Sequence, residues 1–347
     1  MGVIILPRLT MRLHGASASI PRLPDGDKVV MPATRRDNIG WTMGVARRNA
    51  QFLQRIDFER MPGVPYSLTF TVPVAAMSRV TPEAMHRWID SMLKFLGRRG
   101  MLGFHWVIEF TASHMPHIHM TVWLDAEYEI WNRHTKCYER RVNDLGEVTM
   151  NAVGQWLALT HAAGIRTMGS AQDVQRLDGH AAWLAYVAKH TQRGVAHYQR
   201  ALSSMPVNWV AKPGAMWGHS RGIPLADEIH MPMDMRSFHR FRRAVCQWCC
   251  ARAARVGDPK RRGRAIRQAR RMLRCTDGRL SPVRPISVWI PGDVVSVICE
   301  GLRRQGCLIG DDALEWAQAE CSRIEREGGD PRRLLSLLCS IEEMKRS

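Results

Sequence analysis

The sequence predicts an α+β protein: an antiparallel sheet with helices on one face, followed by a basic α-helical C-terminal region. Three observations carry this. Apolar and polar residues alternate over residues 66–72, 103–110 and 117–124, the period of half-buried strands. Stretches of helical periodicity, with recognisable starts and stops, lie around them. Beyond about residue 230 the composition shifts, and residues 236–274 hold many arginines and a single acid, Asp258.

Residues 1–30 are rich in Pro, Gly and Arg without clear periodicity and are expected to form a loose arm. Residues 38–61 read as a helix with Arg47, Arg48 and Arg55 exposed, ended by the Pro and Gly of MPGVP. In YSLTFTV, Tyr66, Leu68, Phe70 and Val72 form an apolar face; Ser67, Thr69 and Thr71 form a hydroxyl face. Thr81-Pro82-Glu83 starts a helix that Gly100 closes. GFHWVIEF and HIHMTVWL are two strands joined by a short polar turn. Residues 149–166 are helical, SAQDVQRL is a short strand, and DGHAAWLAYVAKHTQR is a helix. The resulting β-α-β-β-α-β-α order suits an antiparallel sheet with helices on one side. DPKRRGRAIRQARRMLR is helical after a Pro-Lys-Arg-Arg-Gly break, and the stretch from SVWIPGD onward is expected to be a small helical bundle. Three regions follow: a basic arm and helix over 1–60, a sheet domain over 61–229, and a basic helical region over 230–347. No internal repeat is visible.

The formal net charge is +18, which argues for a polyphosphate partner. No apolar run is long enough for a membrane span. The opening residues lack the basic and apolar regions of a signal peptide. Nine cysteines, an odd number, are read as reduced thiols of a cytoplasmic protein. Cys246, Cys249 and Cys250 form a close group, but no second pair follows at zinc-site spacing.

His117 and His119 project from one face of a strand. On the preceding strand Trp106, Ile108 and Phe110 share one face, while Val107 and Glu109 share the other. Pairing across a turn centred near Ser113 sets Glu109 opposite His117, so Glu109, His117 and His119 converge. A carboxylate with two imidazoles suits Mn²⁺ or Mg²⁺ when phosphate is present. The same set also serves non-haem iron oxygenases, which have no use for so basic a chain. On the later helix Tyr186, Lys189, His190 and Arg193 fall on one face. A phenol is about one part in a thousand ionised at neutral pH, so attack by Tyr186 on a phosphodiester needs a nearby cation such as Lys189. Arg240, Arg242, Arg243, Arg261, Arg262 and Arg264, with Phe238, Phe241 and Trp248 interleaved, could grip phosphates and stack on bases.

Taken in order, YSLTFTVP, Glu109 with PHIHMTVW, and YVAKH resemble the three motifs of HUH endonucleases that initiate rolling-circle replication. MWGHSRGIP, residues 216–224, resembles a segment found after the tyrosine helix in replication proteins of filamentous phages and related plasmids. The likeness covers about residues 64–224. It implies a palm-like antiparallel sheet, a divalent metal held by Glu109, His117 and His119, and Tyr186 as nucleophile with Lys189 one turn on. It implies site-specific nicking of single-stranded or extruded origin DNA through a 5′-phosphotyrosine. Where some members carry a second tyrosine this chain has His190, which suggests a one-tyrosine mechanism. No Walker-type phosphate loop is present, so unwinding falls to a host helicase, and synthesis to a host polymerase. A transposase or relaxase of the same chemistry, and a basic nucleic-acid-binding protein without catalysis, remain alternatives.

Overall fold

The computed structural model describes residues 6–20, 40–132, 134–142, 144–179, 182, 183, 186, 197–271 and 286–327. In chain order its elements are β1 (Arg8–Arg12), β2 (Gly15–Ser19), α1 (Met43–Arg55), β3 (Val64–Phe70), α2 (Pro82–Gly97), β4 (Met101–Phe110) and β5 (Pro116–Leu124). Then come β6 (Glu127–Asn132), β7 (Cys137–Val142), α3 (Leu145–Ala162), β8 (Asp173–Arg176), β9 (Trp217–His219) and β10 (Ile229–Pro232). The last are α4 (Met235–Ala254), α5 (Pro259–Arg271), β11 (Ile286–Trp289), α6 (Gly292–Arg303) and α7 (Asp311–Arg326). The protein is thus α+β with antiparallel sheets, and no helix among the described residues is long and apolar enough to cross a membrane.

The chain divides into two compact units, residues 31–225 and a second made of residues 1–30 with 226–347. In the first, five antiparallel strands run in the order β8-β3-β5-β4-β9. β5 is central, and its apolar face of Ile118, Met120, Val122 and Leu124 is fully buried. Leu68 and Phe70 of β3 and Ile108 and Phe110 of β4 continue that face. α2 starts where Thr81 accepts a hydrogen bond from the Ala84 N–H and lays Met85, Ile89, Met92 and Leu96 inward. Asp144 caps α3 in the same way, and Trp156 stacks on Phe70 with ring centres 5.1 Å apart and meets Trp88 edge-on. Each such large side chain contributes about 1.5–3 kcal/mol by burial. α1 departs from the one-sided layering expected: its Phe52 stacks on His105, which lies on the opposite face of β4 from Trp106 and Ile108. β6 and β7 form a separate two-stranded ribbon that the sequence did not announce.

The second unit corrects four expectations. Residues 8–19 are not a loose arm but a hairpin, β1–β2, at the middle of a four-stranded sheet ordered β10-β1-β2-β11. Nor is the C-terminal region all-helical, since it supplies β10 and β11 to that sheet. The 60/61 boundary therefore does not follow the fold: α1 belongs with the first sheet and β1–β2 with the C-terminal helices. Leu9, Ala16 and Ala18 are fully buried against Phe238, Phe241 and Val245 of α4 and Val295 of α6. The Pro-Lys-Arg-Arg-Gly stretch is not a break either. It forms the first turns of α5, with the Asp258 carboxylate accepting from the Arg261 N–H at 2.9 Å.

Candidate metal centre

The turn between β4 and β5 is tight. The Thr111 N–H donates to the Met115 carbonyl at 2.8 Å, the Met115 N–H donates to the Thr111 hydroxyl at 3.0 Å, and His114 takes a left-handed φ of 64°. This fixes the register, with Glu109 directly opposite His117, as the alternation predicts. His119 stands between Val107 of β4 and Thr69 of β3. Opposed residues and i+2 neighbours share a face, so Thr69, Glu109, His117 and His119 emerge together. A slip of one residue would send both imidazoles into the apolar layer.

The three expected ligands offer donor atoms that all lie within 4.8 Å of one another, and they are the one such cluster among the described residues. The Nε2 atoms of His117 and His119 are 2.9 Å apart, and His119 Nε2 is 3.8 Å from Glu109 Oε2. The Thr69 hydroxyl lies 3.1 Å from His119 Nδ1, which turns Nε2 toward the cluster, a common orienting contact behind a metal-bound imidazole. Two nitrogens 2.9 Å apart suit metal–ligand bonds of about 2.1 Å meeting near a right angle, as around an octahedral cation. The donor set therefore fits a divalent ion.

Glu109 is completely buried, and a buried carboxylate is tolerated only when paired. Its Oε1 accepts from Arg200 Nε at 2.8 Å. The Arg200 guanidinium in turn lies 4.0 Å over the Trp41 ring, and Trp41 donates its Nε1–H to the Ile108 carbonyl. The Phe110 N–H donates to the Gln199 carbonyl at 2.9 Å, bringing the turn that holds Arg200 to the end of β4. Glu109 is thus held with Oε1 on the arginine and Oε2 toward the imidazoles. Sequence reasoning missed Arg200. It sits in a turn 91 residues from Glu109, where neither periodicity nor a motif marks it. Thr69 was legible as part of the hydroxyl face but not as the partner of His119.

Tyr186 is helical and half-buried, with its hydroxyl shielded from solvent. Its neighbour Trp183 is fully buried and packs on Phe58, 5.3 Å between ring centres. Lys189, His190 and Arg193 lie outside the described residues.

The basic residues expected to meet DNA separate into two groups. Arg243, Arg261, Arg262 and Arg264 are exposed. Arg242 is buried beside Phe238, and Arg240 donates to the Gln305 carbonyl and Cys307 Sγ within its own unit. Phe238 and Phe241 are fully buried: they lie on the inner stripe of α4, so neither can stack on a base. Burial pushes the Cys249 thiol up to about 11, so on its own it stays protonated at neutral pH.

Residues 65–192, which include Glu109, His117, His119 and Tyr186, match a family model described as replication-associated protein ORF2/G2P. A protein of Xylella fastidiosa strain Temecula1, provisionally described as a replication protein, is 31% identical over 278 residues, 78% of this chain and 94% of that protein. A second, of strain 9a5c and described alike, is 28% identical over 87% of this chain and 98% of its own length. The replication-associated protein G2P of Pseudomonas phage Pf3 is 30% identical over 272 residues, 77% of this chain and 87% of that protein. No solved structure matches the chain.

Proposed function

The chain belongs to the replication-associated protein ORF2/G2P family, and from that premise we propose that it initiates rolling-circle replication of a phage or plasmid by nicking and rejoining origin DNA. The observation that carries the reading is the cluster of Glu109, His117 and His119 on the central strand pair of an antiparallel sheet, inside the family-matched region. That arrangement supports an HUH-type, palm-like domain. Glu109, His117 and His119 would hold Mn²⁺ or Mg²⁺. Bound there, the cation supplies charge stabilisation to a phosphodiester being displaced.

The remaining steps belong to the chain. The Tyr186 oxygen attacks phosphorus in single-stranded or extruded DNA. A tyrosyl O–P bond forms as the bond from phosphorus to the 3′ oxygen breaks. The phenolic proton is lost and the departing 3′ oxygen gains one, leaving a 5′-phosphotyrosine and a free 3′-hydroxyl. Lys189 favours the phenolate by its charge. One ester has replaced another, so a later 3′-hydroxyl can reverse the linkage. Arg200 keeps Glu109 in place throughout. Arg243, Arg261, Arg262 and Arg264 hold origin phosphates, while a host helicase and polymerase in the bacterial cytoplasm unwind and copy.

The test is a covalent adduct. Wild-type protein incubated with labelled single-stranded origin DNA and Mn²⁺ is expected to carry the strand through denaturing electrophoresis. Tyr186→Phe and His117→Ala are expected to carry none. An adduct of normal yield in Tyr186→Phe would remove that residue from the mechanism.

A further inference from the structure

Beside the metal centre the same sheet face carries a stack of rings that the nicking chemistry does not use. β9 pairs with β4 so that Trp217 stands opposite Val107 and His219 opposite His105. Val107 is itself opposite His119. Trp217 therefore lies in the same cross-strand row as His119, two strands away, or about 10 Å at interstrand spacings of about 4.8 Å. Phe52 of α1 stacks on His219 with centroids 4.0 Å apart and 22° between planes. Trp217 follows His219 at 5.6 Å and 23°. His105 supports Phe52 from below at 5.8 Å and is fixed by Asn49 at 2.8 Å.

The stack is built to face outward. Phe52 and His105 are buried, Trp217 is half-buried and His219 is exposed. Gly218 lies against the opposite, core side, where a Cβ would come within 2.8 Å of the Trp106 indole. The missing side chain lets β9 lie close to Trp106 while it holds Trp217 and His219 on the metal face. The His219 ring is further oriented by its Nδ1–H donating to the Ser220 carbonyl at 2.8 Å. Exposed cations flank the rings: Arg48 stands one helical turn before Phe52, and Arg221 lies two residues beyond His219.

We propose that Trp217 and His219, backed by Phe52, form a stacking platform for an unpaired nucleobase of the strand whose phosphate is at the metal centre. The proposal rests on the nicking reading and adds a subsite to it. Ring stacking tolerates any base, so the platform fixes the path of the strand rather than its sequence, with Arg48 and Arg221 serving its phosphates.

The experiment measures binding without chemistry. In EDTA, fluorescence anisotropy gives the affinity of the full-length protein for a 15-nucleotide oligo(dT) and for a wholly abasic 15-mer with the same phosphates. One lost stacked base weakens binding by roughly 5- to 150-fold. His219→Ala and Trp217→Leu are expected to reduce the preference for oligo(dT) by a factor in that range and to leave abasic binding and its salt dependence unchanged. His219→Phe is expected to restore the preference. An unchanged oligo(dT)-to-abasic ratio in His219→Ala, an exposed site where folding is not at risk, overturns the platform. The adduct assay is scored separately. An adduct with no ratio change sinks only the platform, whereas a ratio change with no adduct sinks only the nicking reading.

Discussion

Replacing Arg200 by Met tests whether the candidate metal centre is held together by a buried charge pair. Arg200 Nε and Glu109 Oε1 are 2.8 Å apart, and the two side chains are 1% and 0% exposed. Met keeps an unbranched stem over Trp41 but removes the guanidinium from Glu109 Oε1. Removing one member of a buried pair costs about 3–5 kcal/mol. An independent figure agrees: unit charges about 4 Å apart at an effective dielectric of 20 interact by about 4 kcal/mol. Against a typical domain stability of about 5–15 kcal/mol, the unit should still fold. Arg200 also holds Glu109 with Oε2 toward the imidazoles, so Arg200→Met is expected to bind Mn²⁺ about 10- to 100-fold more weakly than wild type. At about a hundred times its dissociation constant, Mn²⁺ returns about 2.7 kcal/mol. Urea unfolding in EDTA and in Mn²⁺, with titration calorimetry for the metal, reads these quantities, and hydrogen exchange across β4 and β5 isolates this unit. A loss below about 1 kcal/mol in EDTA, or Mn²⁺ affinity equal to wild type, would refute the reasoning.

Three further outcomes are expected. Thr69→Val removes the hydroxyl that orients His119 and should weaken Mn²⁺ binding by about 10- to 100-fold, read by calorimetry, with little change in apo stability. Gly218→Ala drives a Cβ into the Trp106 indole at 2.8 Å; overpacking of this kind costs about 1–3 kcal/mol and should appear as a lower Tm together with loss of the base preference described above. Changing Arg261, Arg262 and Arg264 of α5 to Ala together should lower the slope of log affinity against log salt, by about 0.7 for each single-strand phosphate no longer neutralised, while adduct formation on a short oligonucleotide stays near wild type.

The convergence of Glu109, His117 and His119 was largely legible before folding. Alternation on β4 and β5 decides which residues share a face, and a short turn decides which stand opposite. Glu109 and His117 are only eight positions apart, so local rules suffice. The start of α2 at Thr81-Pro82 and the hydroxyl face of β3 were equally local. What escaped depended on distant partners. β1 and β2 read as a loose arm because a Gly-Ala-Ser strand has weak propensity and its sheet neighbours, β10 and β11, lie more than 200 residues away. Phe238, Phe241 and Arg242 looked available to DNA because a charge-rich helix reveals its inner stripe only once the surface it covers exists.

The sequence by itself determined the chemistry offered: two imidazoles and a carboxylate on adjoining strands, and a strongly cationic chain. The tertiary structure alone decided how that chemistry is held. Arg200 reaches Glu109 across 91 residues, and α1 and β9 meet over His105 to build an aromatic ledge. The reason is physical. A side chain's direction follows from backbone period within one strand or helix, but its contact with a remote segment is settled only when burial of both outweighs the chain entropy of bringing them together.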